Sequence, residues 1–491
     1  MKILIENGNV CSLDLPLKFA QKLYAEFAIR HPNAFYLRTR QRGMQNWDGK
    51  IHYINKHGEF KIGLLPAVYE KCIEYGIKPK VVDMRQPLPK VNGVVTKIGE
   101  YKLRPEQEKA VKAVINNKVG KVPFQIGVLD YTVNAGKTLI MSSLYLSYKK
   151  QLKTLLITND SDWLNQARDE FKKYLPGEQI TFVQGKVLNW SNFTIGMVQS
   201  ISRNMRFYQN ELSKVDMVLV DEADQAGSKQ YQNVLTRLFN TRVRIGLSGT
   251  IYMSKLAKDK VKNMNLEVFF GKVLAEFKLK DSIKKGYSTR TIVKMVPSKP
   301  WYGNWESEEV SYKEVYDDSI TFNKYAKRMV YSRLKWNLKQ DRYPALVVCK
   351  FIAHCENLCK YFKKKLGSKY NIACVHVDTP SKIRQQIMKD FREGKIDILV
   401  STTIIARGKN FPKLRYLLNA ASMDSQEKSI QFLGRLVRTD SSKKKVYLDD
   451  LHYPGPYLNR HGKHRKQYYQ KQELKVILLE KIWKNHPIHS L

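Results

Sequence analysis

Three groups of residues in this sequence have the types and spacing of phosphate chemistry. The first follows the apolar segment FQIGVL and precedes a helical stretch, and it consists of Asn134, Ala135, Gly136, Lys137 and Thr138. Small residues let backbone N–H groups face a phosphate, a lysine pairs with the β- and γ-phosphates, and a hydroxyl binds Mg²⁺. A helix N-terminus adds a favourable dipole. Tyr131 stands where such loops usually begin with glycine, so this motif alone is equally compatible with a surface turn.

The second group is a pair of carboxylates, Asp221 and Glu222, at the end of the apolar run MVLV. Asp221 could hold the coordination sphere of a Mg²⁺ ion, and Glu222 could act as the base for an attacking water. An acidic cluster stabilised by a helix N-terminus is the alternative. The phosphate loop upstream favours the catalytic interpretation, in which Thr138 and Asp221 are the metal-binding residues.

The third group lies in the segment QFLGRLVR. Gln431, Arg435 and Arg438 are four and then three residues apart, so a helix would present them on one face. Planar guanidinium groups suit phosphate oxygens, and one that is brought to a reacting phosphate acts as an arginine finger. Solvated basic side chains are the alternative interpretation of this group.

Two segments alternate apolar strands with amphipathic helices, a pattern that predicts parallel α/β sheets. The predicted strands are 154–158, 193–198, 217–224 and 243–250 in the first segment, and 345–349, 372–377, 397–402 and 445–450 in the second. Ligands of such sheets bind at the carboxyl ends of the strands, where the groups above fall. The predicted division is a small α+β module (1–95), two parallel α/β domains (96–286 and 287–455) and a basic tail (456–491).

Composition restricts the class of partner. The 491 residues include 86 Lys and Arg but only 45 Asp and Glu, which gives a formal charge of +41. Such an excess indicates a polyanionic partner, with nucleic acid ahead of an anionic membrane surface. No apolar run approaches the roughly 20 residues of a membrane-spanning helix, and the first residues lack a secretory signal. Six cysteines without paired spacing indicate reduced thiols, and with the charge they fit a protein of the bacterial or host cytoplasm or of a nucleus.

Taken together and in this order, the motifs resemble those of the superfamily 2 helicases over about residues 100 to 450. The matching segments are LRPEQEKAV (the adenine-recognition element), VNAGKT (motif I), ITNDSDWLNQ (Ia), TIGMVQS (Ib), DEAD (II), SGT (III), LVSTTIIARGKNFP (V) and QFLGRLVR (VI). The resemblance implies an α/β fold of two tandem RecA-like parallel-sheet domains, preceded by the small α+β domain. It also implies ATP and Mg²⁺ as cofactors.

The same resemblance implies roles for further residues. Additional contacts to ATP would come from Arg104, Gln107, Gly408 and Asn410. Coupling of hydrolysis to domain movement would involve Ser248 and Thr250. Side chains along the nucleic-acid track would be Gln166, Gln199, Thr402 and Thr403. Together with Glu222, Asp221, Gln431, Arg435 and Arg438 as the catalytic set, these complete the predicted site.

The amino-terminal segment NWDGKIHYINKHGEFKIGLLP resembles the first module of tailed-phage recombination helicases of the UvsW type, which migrate branched DNA. The residues expected to bind DNA there are Arg38, Arg40, Arg42, Trp47 and Lys50. Cations around an aromatic ring suit backbone charge together with base stacking. Trp47 could equally be a core residue of a small sheet beside a hairpin turn. The tail residues Arg460, Lys463, Arg465 and Lys466 could grip DNA, or could lie on a helix docked on the second domain.

The sequence therefore predicts an ATP-dependent DNA helicase or translocase that unwinds or branch-migrates forks and junctions. Its partners would be DNA and other replication or recombination proteins, with no membrane. The segment FFGKVLAEFKLKDSIKKGYST after motif III resembles that of DNA translocases and favours DNA over RNA. An RNA-remodelling ATPase, the motor subunit of a restriction system and a basic scaffold with an inactive nucleotide site remain as alternatives.

Overall fold

The computed structural model describes residues 1–40, 44, 46–249, 251, 257–298, 310–406, 411–424, 426–439 and 443–479. The side chains of residues 162, 257–259, 406, 426–428, 430 and 431 lie outside that description. The chain divides into two compact units, Met1–Phe277 and Lys278–Leu491.

The first unit begins with a small mixed sheet and three helices. Its strands are β1 (Lys2–Ile5), β2 (Val10–Asp14), β3 (Ala28–Arg30), β4 (Lys50–His52), β5 (Phe60–Lys61) and β6 (Lys80–Asp83), and its helices are α1 (Leu17–Glu26), α2 (Ala34–Arg40) and α3 (Leu65–Glu74). Four strands pair in the order β5-β2-β1-β6, with β1 antiparallel to β2 and parallel to β6. Strands β3 and β4 form a separate antiparallel pair.

A seven-stranded parallel sheet follows in the same unit. The strands of this part are β7 (Lys97–Ile98), β8 (Tyr101–Lys102), β9 (Lys118–Val119), β10 (Val122–Pro123), β11 (Ile126–Tyr131), β12 (Thr154–Thr158), β13 (Ile180–Val183), β14 (Phe193–Met197), β15 (Met217–Asp221), β16 (Val243–Ser248) and β17 (Val273–Phe277). Its helices are α4 (Pro105–Ile115), α5 (Lys137–Ser147), α6 (Ser161–Tyr174), α7 (Val198–Arg203), α8 (Met205–Ser213), α9 (Lys229–Leu235) and α10 (Ala257–Phe270).

The strand order of this sheet is β13-β14-β12-β15-β16-β11-β17, and every pairing is parallel. All residues of β11, β12, β14, β15 and β16 are buried. Helices on both faces account for that burial, and it explains why these strands are continuous apolar runs instead of alternating ones.

The small sheet and the parallel sheet of the first unit share one hydrophobic core, which extends from Ile3 to Phe270. Arg244 of β16 is fully buried and joins the two sheets. Its guanidinium donates to the carbonyl oxygen of Gly8 at 2.8 Å and to Oδ1 of Asn9 at 2.7 Å. The amino-terminal sheet is therefore built into the unit that carries the phosphate loop.

The second unit holds another seven-stranded parallel sheet. Its strands are β18 (Arg290–Pro297), β19 (Ala345–Cys349), β20 (Ile372–Val375), β21 (Ile398–Thr402), β22 (Tyr416–Asn419), β23 (Lys445–His452) and β24 (Lys475–Leu478). Its helices are α11 (Leu279–Lys284), α12 (Tyr312–Tyr316), α13 (Lys324–Leu338), α14 (Ile352–Leu366), α15 (Ser381–Glu393), α16 (Gln426–Leu436) and α17 (Leu458–Lys471). The strand order is β20-β21-β19-β22-β23-β18-β24.

The predicted α/β architecture with two parallel sheets is confirmed. The residues predicted to form a basic tail, however, contribute α17 and β24, and β24 pairs with β18 at the edge of the second sheet. Arg465 of α17 is fully buried and bonded to Asp450 of β23, so the hypothesis that Arg465 grips DNA is wrong. Within the described ranges, no helix is both long and apolar enough to cross a membrane.

Candidate nucleotide and nucleic-acid sites

The phosphate loop lies between the buried strand β11 and helix α5, which begins at Lys137. Asn134 and Gly136 both have positive φ angles, of 64° and 71°, so the loop turns sharply into the helix. A Cβ atom on Gly136 would lie 2.3 Å from Nε2 of Gln107 and would displace that side chain, and the positive φ angle also favours glycine there. The backbone N–H groups at the start of α5 form the kind of anion-binding site that a nucleotide phosphate needs.

Two side chains at the start of α4 hold this loop. Gln107 is buried, donates from Nε2 to the carbonyl oxygen of Ala135 at 2.8 Å, and accepts from the backbone N–H of Arg104 at 2.8 Å. Arg104 donates to the carbonyl oxygen of Asn134 at 3.3 Å. Their position beside the loop agrees with the motif, whereas their contact with adenine stays a prediction.

Tyr131 occupies the position at which the loop pattern usually has its first glycine. It is the last residue of β11, its ring is fully buried, and its hydroxyl donates to the carbonyl oxygen of Glu106 at 2.7 Å. The departure from the pattern therefore falls in the strand, before the turn, and leaves the loop geometry intact.

The carboxylates come from the end of β15 and the turn after it. Nζ of Lys137 lies 3.8 Å from Oδ1 of Asp221, so the two groups that the sequence predicted to act together are close. Glu222 has a φ angle of 51°, a strained conformation for a residue with a side chain. Asp224 accepts a hydrogen bond of 2.7 Å from Oγ of Ser248, the predicted coupling residue.

Burial, together with the charges of Asp221 and Asp224, raises the pKa of Glu222 to about 7, and the charge of Lys137 opposes this shift. Burial also raises the pKa of Asp221, again against the effect of Lys137. A carboxylate whose pKa is near neutrality suits a general base. The crowding of negative charge also means that a bound cation would stabilise the ionised forms.

The donor set fits Mg²⁺. Oδ1 of Asp221 is buried and accepts no hydrogen bond from the described part of the chain. Thr138 is the second residue of α5 and directly follows Lys137. Among the described residues, no three His, Cys, Asp or Glu side chains form a metal cluster. Mg²⁺ is typically held by one or two carboxylates together with substrate phosphates, and that is what this site offers.

Of the four residues predicted to lie along the nucleic-acid track, Gln199, Thr402 and Thr403 fall at or just after the carboxyl ends of strands, whereas Gln166 lies within helix α6. Gln199 lies at the start of α7, after β14, and donates to the carbonyl oxygen of Asn159 at 3.2 Å. Gln166, on α6, donates to Glu170 at 2.6 Å. In the second unit, Thr402 is the buried last residue of β21, and Thr403 opens the 3-10 helix Thr403–Ala406.

Motif VI differs from its prediction. Helix α16 ends at Leu436, so Arg435 lies in its last turn while Arg438 lies beyond it, and the expected single helical face does not extend to Arg438. The backbone leaves the helix because the carbonyl oxygens of Val437 and Arg438 accept from the N–H and the hydroxyl of Thr289, at 2.7 Å and 3.2 Å. The side chain of Gln431 and the residues Thr250, Gly408 and Asn410 lie outside the described residues.

A surface groove of about 540 Å³ lies in the amino-terminal part of the first unit. Arg38 and Lys50 line it together with Arg30, which the sequence did not single out. Phe35 also lines it and is 80% exposed. These groups join positive charge to an open aromatic face, the combination that binds single strands.

Two further residues predicted to bind DNA in this module, Arg40 and Trp47, lie in the described part of the chain. Arg40 is exposed on α2, and its guanidinium lies 5.0 Å from the centre of the Tyr36 ring. Trp47 is half-buried, and its indole N–H donates to the carbonyl oxygen of Lys50 at 2.8 Å, which makes it part of the turn before β4. Arg42 lies outside the described residues.

Sequence reasoning missed Gln225. Its side chain contacts both Asn159 and Glu222, at 2.5 Å and 3.4 Å, from the turn after the DEAD segment. A signal was present, since a polar residue directly follows that segment, but only the folded sheet brings Asn159 to it.

Two family models match the chain, one in each unit. The model of the res subunit of type III restriction enzymes matches residues 100–253, and the helicase conserved C-terminal domain matches residues 326–440. The first match includes the phosphate loop and the carboxylate pair, and the second includes Arg435 and Arg438. Together the two matches support a superfamily 2 helicase.

Comparison with individual proteins also indicates a helicase. A Saccharomyces cerevisiae chain assigned as the ATP-dependent helicase IRC3 is 23% identical over 377 residues, which cover 71% of this chain and 51% of the relative. This chain thus spans about half the length of that relative.

Solved structures with the same architecture include a fragment of an HsdR subunit of a type I restriction enzyme from Vibrio vulnificus. This fragment is 16% identical, and the match covers 74% of this chain and 65% of the fragment, with a TM-score of 0.55. UvsW of bacteriophage T4 is 19% identical, and the match covers 97% of this chain and 99% of UvsW, with a TM-score of 0.44. At such identities the likeness concerns the fold alone.

Proposed function

We propose that this protein is an ATP-dependent DNA helicase or translocase that unwinds or branch-migrates forks and junctions in the cytoplasm of a bacterium or phage-infected host. The observation that carries the proposal is the 3.8 Å approach of Lys137 to Asp221, with Glu222 beside them at the carboxyl edge of a parallel sheet. A lysine on a phosphate loop next to paired carboxylates is the arrangement that nucleotide hydrolysis requires. The formal charge of +41 supports nucleic acid as the partner.

In the proposed cycle each residue of the first site has one task. The N–H groups at the start of α5 and the ammonium of Lys137 bind the nucleotide phosphates, and the hydroxyl of Thr138 with Asp221 would hold Mg²⁺. Bound Mg²⁺ would neutralise phosphate charge. Glu222 accepts the proton of the attacking water, which its raised pKa favours near neutral pH.

Other residues support the chemistry or transmit it. Arg435 and Arg438, from the second unit, are proposed to stabilise the charge on the transferring phosphate. Ser248, through its bond to Asp224, is proposed to link hydrolysis to domain movement, together with Thr250. The change between nucleotide states would then alter the grip on DNA and produce stepping.

The amino-terminal groove is proposed to contact the branch point of the DNA. Arg30, Arg38 and Lys50 would neutralise phosphates, and Phe35 would stack on an unpaired base. Because this module shares its core with the first parallel sheet, charge reversal at Arg38 and Lys50 tests this role better than deletion of the module. The double variant should bind forks more weakly and keep its nucleotide turnover at saturating DNA.

The decisive experiment measures ATP hydrolysis by the wild type and by Lys137→Ala with single-stranded DNA, duplex, fork, four-way junction and RNA side by side. The variant should lose turnover and keep its binding to DNA, whereas Lys109→Ala, an exposed lysine on α4, should behave as the wild type. ATPase activity near the wild-type level in Lys137→Ala would contradict the proposal. Stimulation by RNA alone would support the RNA-remodelling alternative instead.

A further inference from the structure

A line of amide side chains crosses the carboxyl ends of three neighbouring strands in the first sheet. Strands β14, β12 and β15 are adjacent in that order. Gln199 follows β14, Asn159 follows β12 and Glu222 follows β15. The line therefore begins at a residue predicted to contact nucleic acid and ends at the proposed catalytic base.

Three hydrogen bonds connect these residues, and Gln225 supplies the missing link. Nε2 of Gln199 donates to the backbone carbonyl oxygen of Asn159 at 3.2 Å. Nδ2 of Asn159 donates to Oε1 of Gln225 at 2.5 Å, and Nε2 of Gln225 donates to Oε2 of Glu222 at 3.4 Å. Each amide N–H donates in the direction of the Glu222 carboxylate, so a change in the contacts of Gln199 can alter the position of Glu222.

The geometry around Glu222 makes the last bond a restraint. Gln225 ends the 3-10 helix Ala223–Gln225, and its backbone N–H donates to the carbonyl oxygen of Glu222 at 3.1 Å. Backbone and side chain of Gln225 thus both hold Glu222, whose φ angle of 51° is already strained. A carboxylate oxygen that accepts from an amide is less available to accept a proton from water.

The part of the line formed by Gln199 and Asn159 contains two oxygen atoms without a hydrogen-bond donor among the described residues. Oδ1 of Asn159 and Oε1 of Gln199 are buried and accept no hydrogen bond from any described residue. Buried acceptors without partners raise the free energy of the arrangement in which they occur. A second arrangement in which these amides find new partners would lower that free energy, as a switch requires.

We propose that Gln225 is a positioning residue that restrains Glu222 in the absence of nucleic acid, and that contact of nucleic acid with Gln199 relieves the restraint. A phosphate oxygen competes for Nε2 of Gln199 because a charge-assisted hydrogen bond is stronger than one to a neutral carbonyl. Release of Asn159 then loosens Gln225 and frees Oε2 of Glu222. This inference rests on the proposed function, since it assigns a regulation to that same ATP site.

The path is distinct from the bond between Ser248 and Asp224. That bond lies on the β16 side of β15, whereas the amide line lies on the β12 side. A variant of Gln225 therefore tests the line without removing the hydroxyl contact.

The experiment compares steady-state ATPase rates of the full chain, with and without a single-stranded DNA oligonucleotide, for the wild type, Gln225→Ala, Asn159→Ala and the double variant. Loss of a hydrogen bond to a carboxylate should raise the DNA-free kcat about fivefold in each single variant. The KM for ATP and the DNA-saturated kcat should stay near the wild-type values, so the stimulation by DNA falls. The double variant should raise the DNA-free kcat no more than either single variant does, because both substitutions interrupt the same line of hydrogen bonds.

Gln232→Ala is the matched control, because Gln232 lies on α9 and donates to the carbonyl oxygen of Gly227 at 2.8 Å, away from the line. If the wild type is stimulated by DNA and both single variants keep its ratio, the restraint is overturned while the proposed function stands. A fall in the DNA-free rate of both variants would also overturn it. If Gln225→Ala unfolds at a lower temperature than the wild type, the ATPase rates of Asn159→Ala decide the test. A wild type that no nucleic acid stimulates would overturn the proposed function as well.

Discussion

Replacing Arg465 with methionine should strongly destabilise the second unit. Arg465 is fully buried, and its Nε and NH2 groups make three contacts of 2.8–3.1 Å with the carboxylate of Asp450. It also donates to the carbonyl oxygens of Met423 and Leu451, both at 2.9 Å. Methionine fills the space of the alkyl stem but leaves the carboxylate buried, with Tyr469 and Asn419 as its remaining donors among the described residues. Removing one partner of a buried pair costs about 3–5 kcal/mol.

The assay is a thermal unfolding scan of the full chain. For a unit of this size, each kcal/mol lowers the melting temperature by about 2–4 °C, so a shift of roughly 10 °C is expected in the transition of the second unit. Lys463→Ala is the control, since Lys463 is exposed on the same helix and should change stability by less than about 0.5 kcal/mol. An Arg465→Met protein that melts with the wild type but binds DNA poorly would refute the structural role of this arginine.

Two further predictions concern other parts of the chain. Burial lowers the pKa of His354 to about 3, and its Nδ1 lies 2.9 Å from the hydroxyl of Tyr316. Because the unfolded chain takes up the proton below its ordinary pKa near 6.5, this contribution to stability is complete above that pH and is lost as the pH falls towards 3. Unfolding free energy should drop by about 2 kcal/mol between about pH 7.5 and pH 5 from this group, and His354→Asn should remove that part of the slope in denaturant titrations. Gly136→Ala should abolish binding of a fluorescent ATP analogue, because its Cβ would lie 2.3 Å from Nε2 of Gln107 and its φ of 71° is unfavourable for alanine. Binding at wild-type affinity would show that the loop does not need this conformation.

The strands of both parallel sheets could be predicted because burial on two faces leaves a continuous apolar run. The segments 154–158 and 345–349 coincide with β12 and β19. Strand β24 could not be recognised, since it lies at the sheet edge with half-buried and exposed side chains and resembles a turn-like end of the chain. The end of α16 was equally hidden, because it depends on Thr289, far away in sequence.

Charge counting also has a physical limit. The formal charge of +41 indicates a polyanionic partner, but this count treats every Lys and Arg as a surface group. Arg244 and Arg465 are among the largest fully buried side chains, and each one is held by oxygen atoms within the protein. Arg465 stands in a basic, aromatic run that suggests DNA binding, yet it supports the second sheet. Only the position of the accepting oxygens distinguishes the two roles.

The candidate ATP site shows what a linear motif omits. Motifs predict the groups that touch phosphate, metal and water, because those groups must keep their chemical types. The amides that hold the groups in place can come from any neighbouring strand end, and Asn159, Gln199 and Gln225 meet only because β14, β12 and β15 are adjacent. In a parallel sheet the carboxyl ends share one edge, so a contact at Gln199, after β14, is three hydrogen bonds from Glu222. The proposed regulation of hydrolysis by a bound strand would therefore need no separate domain, since the edge proposed to bind nucleotide extends to the residues predicted to bind nucleic acid.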